Sequence, residues 1–252
     1  MIPPFPTAPP RPIVFADLDD TLFQTAAKMA EPAAEARRAA TATNDRHSYM
    51  SAVQAATIAW LLITTRLIPV TARSSEALSR VHLPFNDWRI CANGGAILDW
   101  KGVPDPAWRD HVAGISAQHR EGFAALVAAA ATMPEGAGLR SWVVTETDLP
   151  IYFVAKTGRA VGAGVLSELE ARCRVAVGDS FLFHRNGRNM SFTPRGLAKR
   201  DAVAALLSRL PEAGDVPIWG MGDSVSDLGF MRLCQMMVVP VPSQIATAME
   251  GF

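Results

Sequence analysis

The sequence predicts an α/β fold in which a parallel-sheet core carries an inserted α+β domain. Short apolar strands alternate with helix-forming stretches near both ends of the chain, a pattern that is typical of a parallel sheet. Two of these strands lie about two hundred residues apart, and each runs directly into clustered aspartates. Between them, residues 100–189 mix helical stretches with several short strands, which favours a second domain inserted into the first.

The composition indicates a globular protein without nucleic-acid or membrane partners. The chain has 252 residues, enough for a core and a small second domain, and 49% of them are hydrophobic, which excludes a disordered chain. A formal net charge of zero argues against a nucleic-acid binder, and no apolar run reaches the length of a bilayer span. The three scattered cysteines give neither a metal-ligand spacing nor a disulfide framework, which fits a reducing cytoplasm. We expect a cytoplasmic monomer or homodimer.

Residues 1–12 form a proline-rich tail ahead of the first strand. They lack the charged region and following apolar core of a signal peptide. We interpret them as a short, extended and solvated segment, with a proline-rich ligand for a partner protein as the alternative.

The first predicted strand ends in carboxylates. The apolar run 13–15 is followed within a few residues by Asp17, Asp19, Asp20 and Thr21. Asp17 and Asp19 point the same way if the strand geometry persists, because side chains alternate with a period of two. Two carboxylates so close repel each other unless a cation compensates, and Mg²⁺ is the natural one. The alternative is an Asp-rich turn, since Asp and Thr are good turn residues.

The region between the first two core strands is predicted to be helical. The stretch 24–42 is rich in good helix formers, residues 43–48 form a break, and residues 51–64 resume a helical pattern. A second strand at 67–70 then leads to Thr71. A hydroxyl at such a helix start favours an anion, although Thr71 also fits a plain helix N-cap.

A third strand, 88–92, leads into the turn Asn93-Gly94, a strong hairpin signal between apolar runs. The inserted segment then contains predicted helices and strands that suggest a small antiparallel sheet with helices beside it. The predicted helices are 105–119, 121–132 and 163–172, and the predicted strands are 139–145, 149–155, 174–177 and 181–184.

The pattern of the last part of the chain predicts elements that belong to the core again. Residues 197–207 form an amphipathic helix with Lys199 in its first turn, where the helix dipole disfavours a cation. A lysine there indicates an adjacent anion, with an ordinary surface lysine as the alternative. The strand 217–221 runs into Asp223 and Asp227, which are spaced i, i+4 and share a face if a helix begins between them. A final strand at 236–240 and a helix at 243–249 follow.

Together, the two acidic strand ends suggest one shared metal site. The carboxyl ends of parallel strands meet at one edge of the sheet, which is where open α/β sheets bind ligands. We therefore expect Asp17 and Asp223 to lie close together at that edge.

Four short motifs resemble those of the haloacid dehalogenase superfamily and occur in the same order. They are Asp17-x-Asp19-x-Thr21, Thr71 after a strand, Lys199 ahead of a helix, and Gly222-Asp223-x-x-x-Asp227. The Asp-x-Asp-x-Thr variant is similar to the phosphatase and phosphomutase branches, although Asp20 stands where glycine is commonest in the family. The resemblance covers roughly residues 11–98 and 190–252.

The resemblance implies a domain organisation. A Rossmann-like parallel-sheet core would comprise residues 13–99 and 190–252, and an α+β cap domain would comprise residues 100–189. A cap inserted between the second and third motifs is typical of the Cof-like and sucrose-phosphatase-like members, in which the cap carries substrate specificity. The region between Thr21 and Thr71 often carries a flap over the active site in this family, and its length here allows two helices or a helix and a flap.

The resemblance also implies a Mg²⁺-dependent phosphatase acting on a small phosphorylated metabolite, such as a sugar phosphate. Asp17 would attack phosphorus to form an aspartyl-phosphate, and Asp19 would act first as general acid and then as general base. Thr71 and Lys199 would bind the phosphoryl oxygens, whose charge must be stabilised during transfer.

The same resemblance implies a metal site. Mg²⁺ would be held by the Asp17 carboxylate, the Asp19 backbone carbonyl and Asp223, with waters completing the octahedron. Asp227 would support the site by holding a metal-bound water or Lys199.

Four further residues are candidate substrate contacts. Arg73 is a phosphate or substrate contact or, equally, part of a surface salt bridge, and Asn93 faces the substrate or merely forms its turn. Arg188 and Asn189 are polar residues of the inserted segment that are able to contact a substrate. Two other functions remain open: a phosphosugar mutase resembling phosphomannomutases, and a catalytically silent binding module on the same fold.

Overall fold

The structure is a computed structural model that describes residues 10–29, 36–43, 45–158 and 163–250. Most of the predicted proline-rich tail, and residues 30–35 of the predicted helix 24–42, lie outside the described residues. Within the described part of the chain, no helix is long and apolar enough to cross a membrane.

The described chain contains thirteen strands and eight α-helices. The strands are β1 (Ile13–Ala16), β2 (Gln24–Thr25), β3 (Arg37–Ala40), β4 (Ser48–Met50), β5 (Arg66–Pro69), β6 (Arg89–Cys91), β7 (Ala96–Leu98), β8 (Leu139–Glu146), β9 (Leu149–Thr157), β10 (Phe181–Asn186), β11 (Asn189–Pro194), β12 (Ile218–Met221) and β13 (Met236–Val238). The helices are α1 (Ala52–Thr64), α2 (Ser75–Ser79), α3 (Pro106–Gln118), α4 (Arg120–Ala131), α5 (Ala163–Val177), α6 (Lys199–Leu207), α7 (Leu228–Met231) and α8 (Gln244–Met249).

The predicted parallel core sheet is confirmed. Its strand order is β13-β12-β1-β5, and all three pairings are parallel. A bridge between Val70 and Ile90 continues the sheet toward β6. β1 is central and wholly buried, as four consecutive apolar residues in a parallel sheet should be. Because Ala16 pairs with Met221, the aspartates that follow β1 and β12 leave the same edge of the sheet.

The predicted helix over 24–42 is wrong for the residues described. Strands β2, β4 and β3 form a small antiparallel sheet in that order, here called the flap. Ala39 and Ala40 are buried in it and pack in the same apolar core as Leu18 and Leu22. These tertiary contacts outweigh the helix propensity of alanine and arginine, which is a weak preference of less than about 1 kcal/mol per residue.

The inserted segment forms a second sheet, as predicted, with the antiparallel order β10-β11-β9-β8. Helices α4 and α5 cover one of its faces, and their side chains share a core with Phe153 and Phe192 of the sheet. The predicted strand 174–177 is wrong, because α5 continues to Val177. Cys173 and Val177 lie one turn apart, and both pack against the sheet, which favours a helix.

The sheet of the inserted segment extends beyond the predicted domain boundary between residues 189 and 190. Strand β11 pairs with both β10 and β9, so residues up to Pro194 belong to this sheet. The architecture is a parallel-sheet core with an inserted α+β cap, as predicted. We propose that the chain returns from the cap to the core near Arg195.

The other predicted elements agree with the structure within a few residues. Ser51 forms a capping box with Gln54 at the start of α1, and Asp105 caps α3 at the backbone N–H of Trp108. The hairpin between β6 and β7 turns at Asn93, which adopts φ of 58°, a conformation that asparagine tolerates better than most residues.

Gly94 brings the β6–β7 hairpin into close contact with the start of α6. It adopts φ of +99°, and a Cβ there would lie 2.6 Å from the carbonyl oxygen of Ala198 and 2.7 Å from that of Leu197. Because these atoms belong to the two residues that precede Lys199, they cannot move without displacing the lysine.

We predict that Gly94→Ala destabilises the protein more than Gly102→Ala does. Gly102 has a similar φ of +85°, but a Cβ there meets only the Arg89 side chain at 3.9 Å. Both variants carry the left-handed strain of about 1–2 kcal/mol, and only Gly94→Ala adds a backbone clash of about 1–3 kcal/mol. Urea unfolding of both variants measures the difference, and equal destabilisation would contradict the prediction.

Candidate active site

Asp17 is buried at the carboxyl end of β1. Its backbone N–H donates to the carbonyl of Met221 at 2.9 Å, which extends the β1–β12 pairing by one residue. The hydroxyl of Thr21 donates to Asp17 Oδ2 at 3.2 Å. The carboxylate is therefore fixed at the sheet edge where the sequence predicts a site.

Lys199 supplies the cation of the site. Its ammonium donates to Asp17 Oδ1 at 2.6 Å and to Asp227 Oδ1 at 2.8 Å, and all three side chains are buried. Burial alone would lower the pKa of Lys199, but the charges of Asp17 and Asp227 outweigh burial and raise it. The predicted pairing of Lys199 with nearby anions is present in the structure, and the surface-lysine alternative is wrong.

Asp227 is held in place by the turn that precedes it. The backbone N–H and the hydroxyl of Ser224 donate to Asp227 Oδ2 at 3.1 and 3.0 Å. A Cβ on Gly222 would lie only 2.5 Å from the Cβ of Asp227, so the glycine permits this close approach. Asp227 therefore holds Lys199, which is one of the two supporting functions predicted for it.

Three carboxylates meet beside Lys199. Asp17, Asp223 and Asp227 each contribute an oxygen atom, and these atoms lie within 4.8 Å of one another. Burial raises the pKa of Asp17 to about 7, while Lys199 opposes the shift, and burial raises the pKa of Asp223 to about 6. One ammonium cannot neutralise three carboxylates, and oxygen ligands suit Mg²⁺, so the residues present fit a divalent cation.

The Asp19 carboxylate is not part of that group, since it turns toward Arg73. The guanidinium donates from Nε to Asp19 Oδ2 and from Nη2 to Asp19 Oδ1, both at 2.7 Å. Arg73 also donates to the Ser48 hydroxyl of the flap at 3.1 Å, and its guanidinium lies 5.2 Å from the centroid of the Phe23 ring. Arg73 thus joins Asp19 to the flap, and the surface salt bridge considered for it is instead a partly buried one.

Burial of Arg73 would lower its pKa, but the hydrogen bonds and charge of Asp19 outweigh burial and raise it. The guanidinium is therefore a permanent cation, and its planar fork matches both carboxylate oxygens. A direct contact between Arg73 and a substrate phosphate stays a prediction.

Asp20 takes a backbone conformation that explains why glycine is common at its position in the resembled family. It adopts φ of 67°, in the left-handed region that aspartate tolerates better than most residues. Its backbone N–H donates to the Phe23 carbonyl at 2.7 Å, and its carboxylate pairs with Lys28.

Thr71 and Asn93 are joined through the backbone. Thr71 is buried, and its hydroxyl accepts from the backbone N–H of Arg73 at 3.1 Å. The N–H of Asn93 donates to the Thr71 carbonyl at 3.0 Å. The loop after β5 and the β6–β7 turn therefore support each other, while phosphate binding by Thr71 and substrate contact by Asn93 stay predictions.

Arg188 and Asn189 lie at the turn between β10 and β11, and both are exposed. Among the described residues, neither forms a hydrogen bond or salt bridge with a core motif residue. Their predicted substrate contact is untested.

Sequence reasoning missed the residues that join the cap to the core. Tyr152 of β9 donates its hydroxyl to the Ala72 carbonyl at 3.3 Å. Glu146 is buried and accepts from the N–H of Ser75 at 2.9 Å and from the Ser75 hydroxyl. Nothing in the strand pattern signals these contacts, because they depend on how the two domains pack. Both of them reach the loop that carries Thr71 and Arg73.

A cavity of about 780 Å³ adjoins the carboxylates on the side of the flap. Its wall includes Thr21, Asp223 and Gln54, together with the chain that follows β13. Solvent and small solutes can reach Asp223 from this side.

A comparison with solved structures identifies proteins of similar fold. The chain matches sucrose-phosphatase from Synechocystis in complex with sucrose and phosphate, with 14% sequence identity, a TM-score of 0.56 and coverage of 96% of each chain. It also matches a haloacid dehalogenase-like hydrolase from Bacteroides thetaiotaomicron, with 13% identity, a TM-score of 0.52 and coverage of 96% of this chain and 99% of that one. The chain has the haloacid dehalogenase-like fold.

The predicted resemblance is thereby confirmed at the level of the fold. A third similar structure is an IMP-bound IMP-nucleotidase from Plasmodium falciparum, with 13% identity and a TM-score of 0.55, covering 94% of this chain and 66% of that one. A scan against protein-family models finds no match, and a search of curated proteins finds none either.

We predict that the metal-free protein loses thermal stability as pH rises from about 4 to 7. The folded-state pKa values of Asp17 and Asp223, about 7 and about 6, exceed the ordinary value of 3.8. These two carboxyl groups therefore bind more protons in the folded than in the unfolded state in this range, and the stability that they contribute is lost as pH rises through the folded-state values. His184, whose pKa is lowered by burial, opposes this trend as a single group. Unfolding temperatures measured with a chelator across this range test the prediction.

Asp223→Asn should weaken this pH dependence, since the amide does not titrate. Adding Mg²⁺ should raise the unfolding temperature of the unmodified protein more at neutral than at acidic pH, because protons compete for the same oxygens. An unchanged pH profile in Asp223→Asn, or stabilisation by Mg²⁺ that is independent of pH, would contradict the assignment.

Proposed function

We propose that this protein is a Mg²⁺-dependent phosphomonoesterase that acts on a small phosphorylated metabolite, such as a sugar phosphate. The observation that carries the proposal is the buried arrangement of Asp17, Lys199 and Asp227, with Asp223 and Thr21 beside it. A carboxylate fixed at an open sheet edge, with a cation beside it, suits attack on an anionic phosphoryl group.

Asp17 is the proposed nucleophile. The oxygen that accepts from Lys199 is held at 2.6 Å, and among the described residues the other carboxylate oxygen accepts only the 3.2 Å hydrogen bond from Thr21. Attack by a carboxylate oxygen on phosphorus would form an aspartyl-phosphate and expel the alcohol, and water would then hydrolyse this intermediate. The two-step route returns Asp17 to its starting state.

Charge stabilisation is the main requirement of phosphoryl transfer. Lys199 supplies one permanent positive charge beside the nucleophile, and Thr71 lies on the loop after the neighbouring strand β5 as a further donor. When bound by Asp17, Asp223 and the Asp19 carbonyl, Mg²⁺ would neutralise charge on the carboxylates and the phosphoryl oxygens.

Asp19 is the proposed general acid and base, with Arg73 as the residue that positions it. Both Asp19 oxygens accept one hydrogen bond from Arg73, and each keeps a second lone-pair site for a proton shared with the leaving oxygen of a substrate. The ion pair therefore sets the orientation of Asp19 before the substrate arrives.

Two further observations support the proposal. The similar sucrose-phosphatase structure contains sucrose and phosphate, so a protein of this fold accommodates a sugar and a phosphate. Cys91, Cys173 and Cys234 are all free thiols, in line with the proposed cytoplasmic location. Whether the protein is a monomer or a homodimer stays a prediction.

We predict that Asp17→Asn lowers phosphate release at least about 10³-fold, because the amide is a far weaker nucleophile. Phosphate release with Mg²⁺ is measured across sugar phosphates, nucleotides and p-nitrophenyl phosphate. Asp215→Asn, an exposed position, is the matched control and should keep full activity. Surviving turnover in Asp17→Asn would remove the nucleophile assignment, and sugar-phosphate isomerisation without phosphate release would favour a mutase.

We predict that Arg73→Lys lowers kcat about 10- to 100-fold and changes the pH profile of kcat, with a smaller effect on KM. Lysine keeps the charge but cannot donate to both Asp19 oxygens in one plane, so the acid–base residue loses its orientation. Arg80→Lys, at another arginine that pairs with a carboxylate, is the control. A large rise in KM with unchanged kcat would instead make Arg73 a substrate-binding residue.

A further inference from the structure

The cap sheet has two different faces. On β9, the side chains of Phe153 and Ala155 point into the core formed with α4 and α5. Tyr152 and Val154 alternate with them and belong to the apolar core that includes β1 and β5. Side chains on a strand alternate between faces, so Lys156 shares the face of Tyr152 and Val154. This second face is the one that the cap turns toward the core domain.

The second face lies over the candidate active site. Tyr152 reaches the Ala72 carbonyl beside Thr71. On β10, burial lowers the pKa of the His184 imidazole, and the charges of Asp227 and Lys199 act on it in opposite directions. His184 is therefore within electrostatic range of the site.

The strand registers place these side chains in rows. His184 lies opposite Ser191 on β11, and Ser191 lies opposite Val154 on β9. The next row along the sheet contains Asn189 and Lys156, which lie opposite each other. Moving two residues along a strand covers about 7 Å, so Lys156 is about 13 Å along β9 from Tyr152.

Two cations face each other in that outer row. Lys156 lies directly opposite Arg140 of β8, and its ammonium is 5.6 Å from the centroid of the Trp142 ring. Burial lowers the pKa of Lys156, and the charge of Arg140 lowers it further. Like charges directly opposite each other destabilise a sheet. Among the described residues, neither Lys156 nor Arg140 forms a salt bridge with a carboxylate, so an external anion would relieve this repulsion.

We propose that Lys156 and Arg140, with Asn189 beside them, bind a second acidic group on the substrate's leaving group. This inference rests on the proposed phosphatase function and names its substrate class. The substrate would be a phosphomonoester of a polyhydroxylated acid, or a bisphosphate, whose second acidic group lies on the order of 10 Å from the reacting phosphorus. His184 and Ser191 lie between the two ends, where they can donate or accept hydrogen bonds with hydroxyl groups.

Matched substrates test the proposal. 6-Phosphogluconate and sorbitol 6-phosphate share a six-carbon open chain, but the first carries a carboxylate where the second carries a hydroxyl group. A comparison of fructose 1,6-bisphosphate with fructose 6-phosphate tests whether a phosphate can serve as the second acidic group. We expect kcat/KM to be at least about tenfold higher for the acidic member of one pair, because a hydrogen-bonded ion pair discriminates by that factor or more.

Lys156→Met should lower this preference about tenfold, mainly by raising KM for the acidic substrate, with a much smaller effect on the neutral partner. Lys156→Arg should retain most of the preference, since it keeps the charge. Lys101→Met removes a lysine that lies over Trp100, outside the cap sheet, and should change nothing. If Lys156→Met fails to fold, as judged by its unfolding temperature, the exposed Arg140→Met variant carries the same test.

Three outcomes would overturn the inference while the phosphatase survives. They are equal kcat/KM within both pairs, a preference unchanged by Lys156→Met and Arg140→Met, and a preference that instead depends on Gln54 in the cavity beside the flap. Hydrolysis of p-nitrophenyl phosphate that requires Asp17 is the separate check. Its absence would overturn the proposed function itself, and the substrate class with it.

Discussion

The candidate site depends on one buried ammonium held between two buried carboxylates. Lys199 keeps its charge only because Asp17 and Asp227 both accept from it. Removing one partner of such a group leaves an uncompensated charge and costs roughly 3–5 kcal/mol. The start of α6, the end of β1 and the turn after β12 are therefore constrained together. The contact between Gly94 and the backbone before Lys199 is part of the same constraint.

The core of the fold could be predicted because its signals are local. Strand β1 is a short apolar run that ends in aspartates, and β12 repeats that pattern. Parallel strands end at a common edge, so two acidic ends imply one site even without knowledge of strand order. The family resemblance allows a flap in this region, but its strands could not be predicted from the local pattern. Ala39 and Ala40 favour a helix locally and form a strand only through burial against the core. Likewise, α5 keeps its helix through Val177 because of packing against the cap sheet.

Some contacts of the candidate active site could also be predicted from the sequence, and others could not. Asp17, Asp223, Asp227 and Lys199 come together as their positions at strand and helix ends imply. The pairing of Arg73 with Asp19 and Ser48 was not predictable, because it joins two loops and strand β4 through side-chain geometry that spacing does not encode. The contacts of Tyr152 and Glu146 depend on how the cap sits on the core, which no local pattern specifies.

Two of the polar contacts between the cap and the core use main-chain atoms of the loop after β5 and of the first residue of α2. Tyr152 donates to the carbonyl of Ala72, and Glu146 accepts from the N–H and the hydroxyl of Ser75, so neither interaction needs a particular side chain at residue 72. The side chain at residue 72 can therefore change without removing either hydrogen bond. Such tolerance helps to explain how chains only 14% identical retain one architecture.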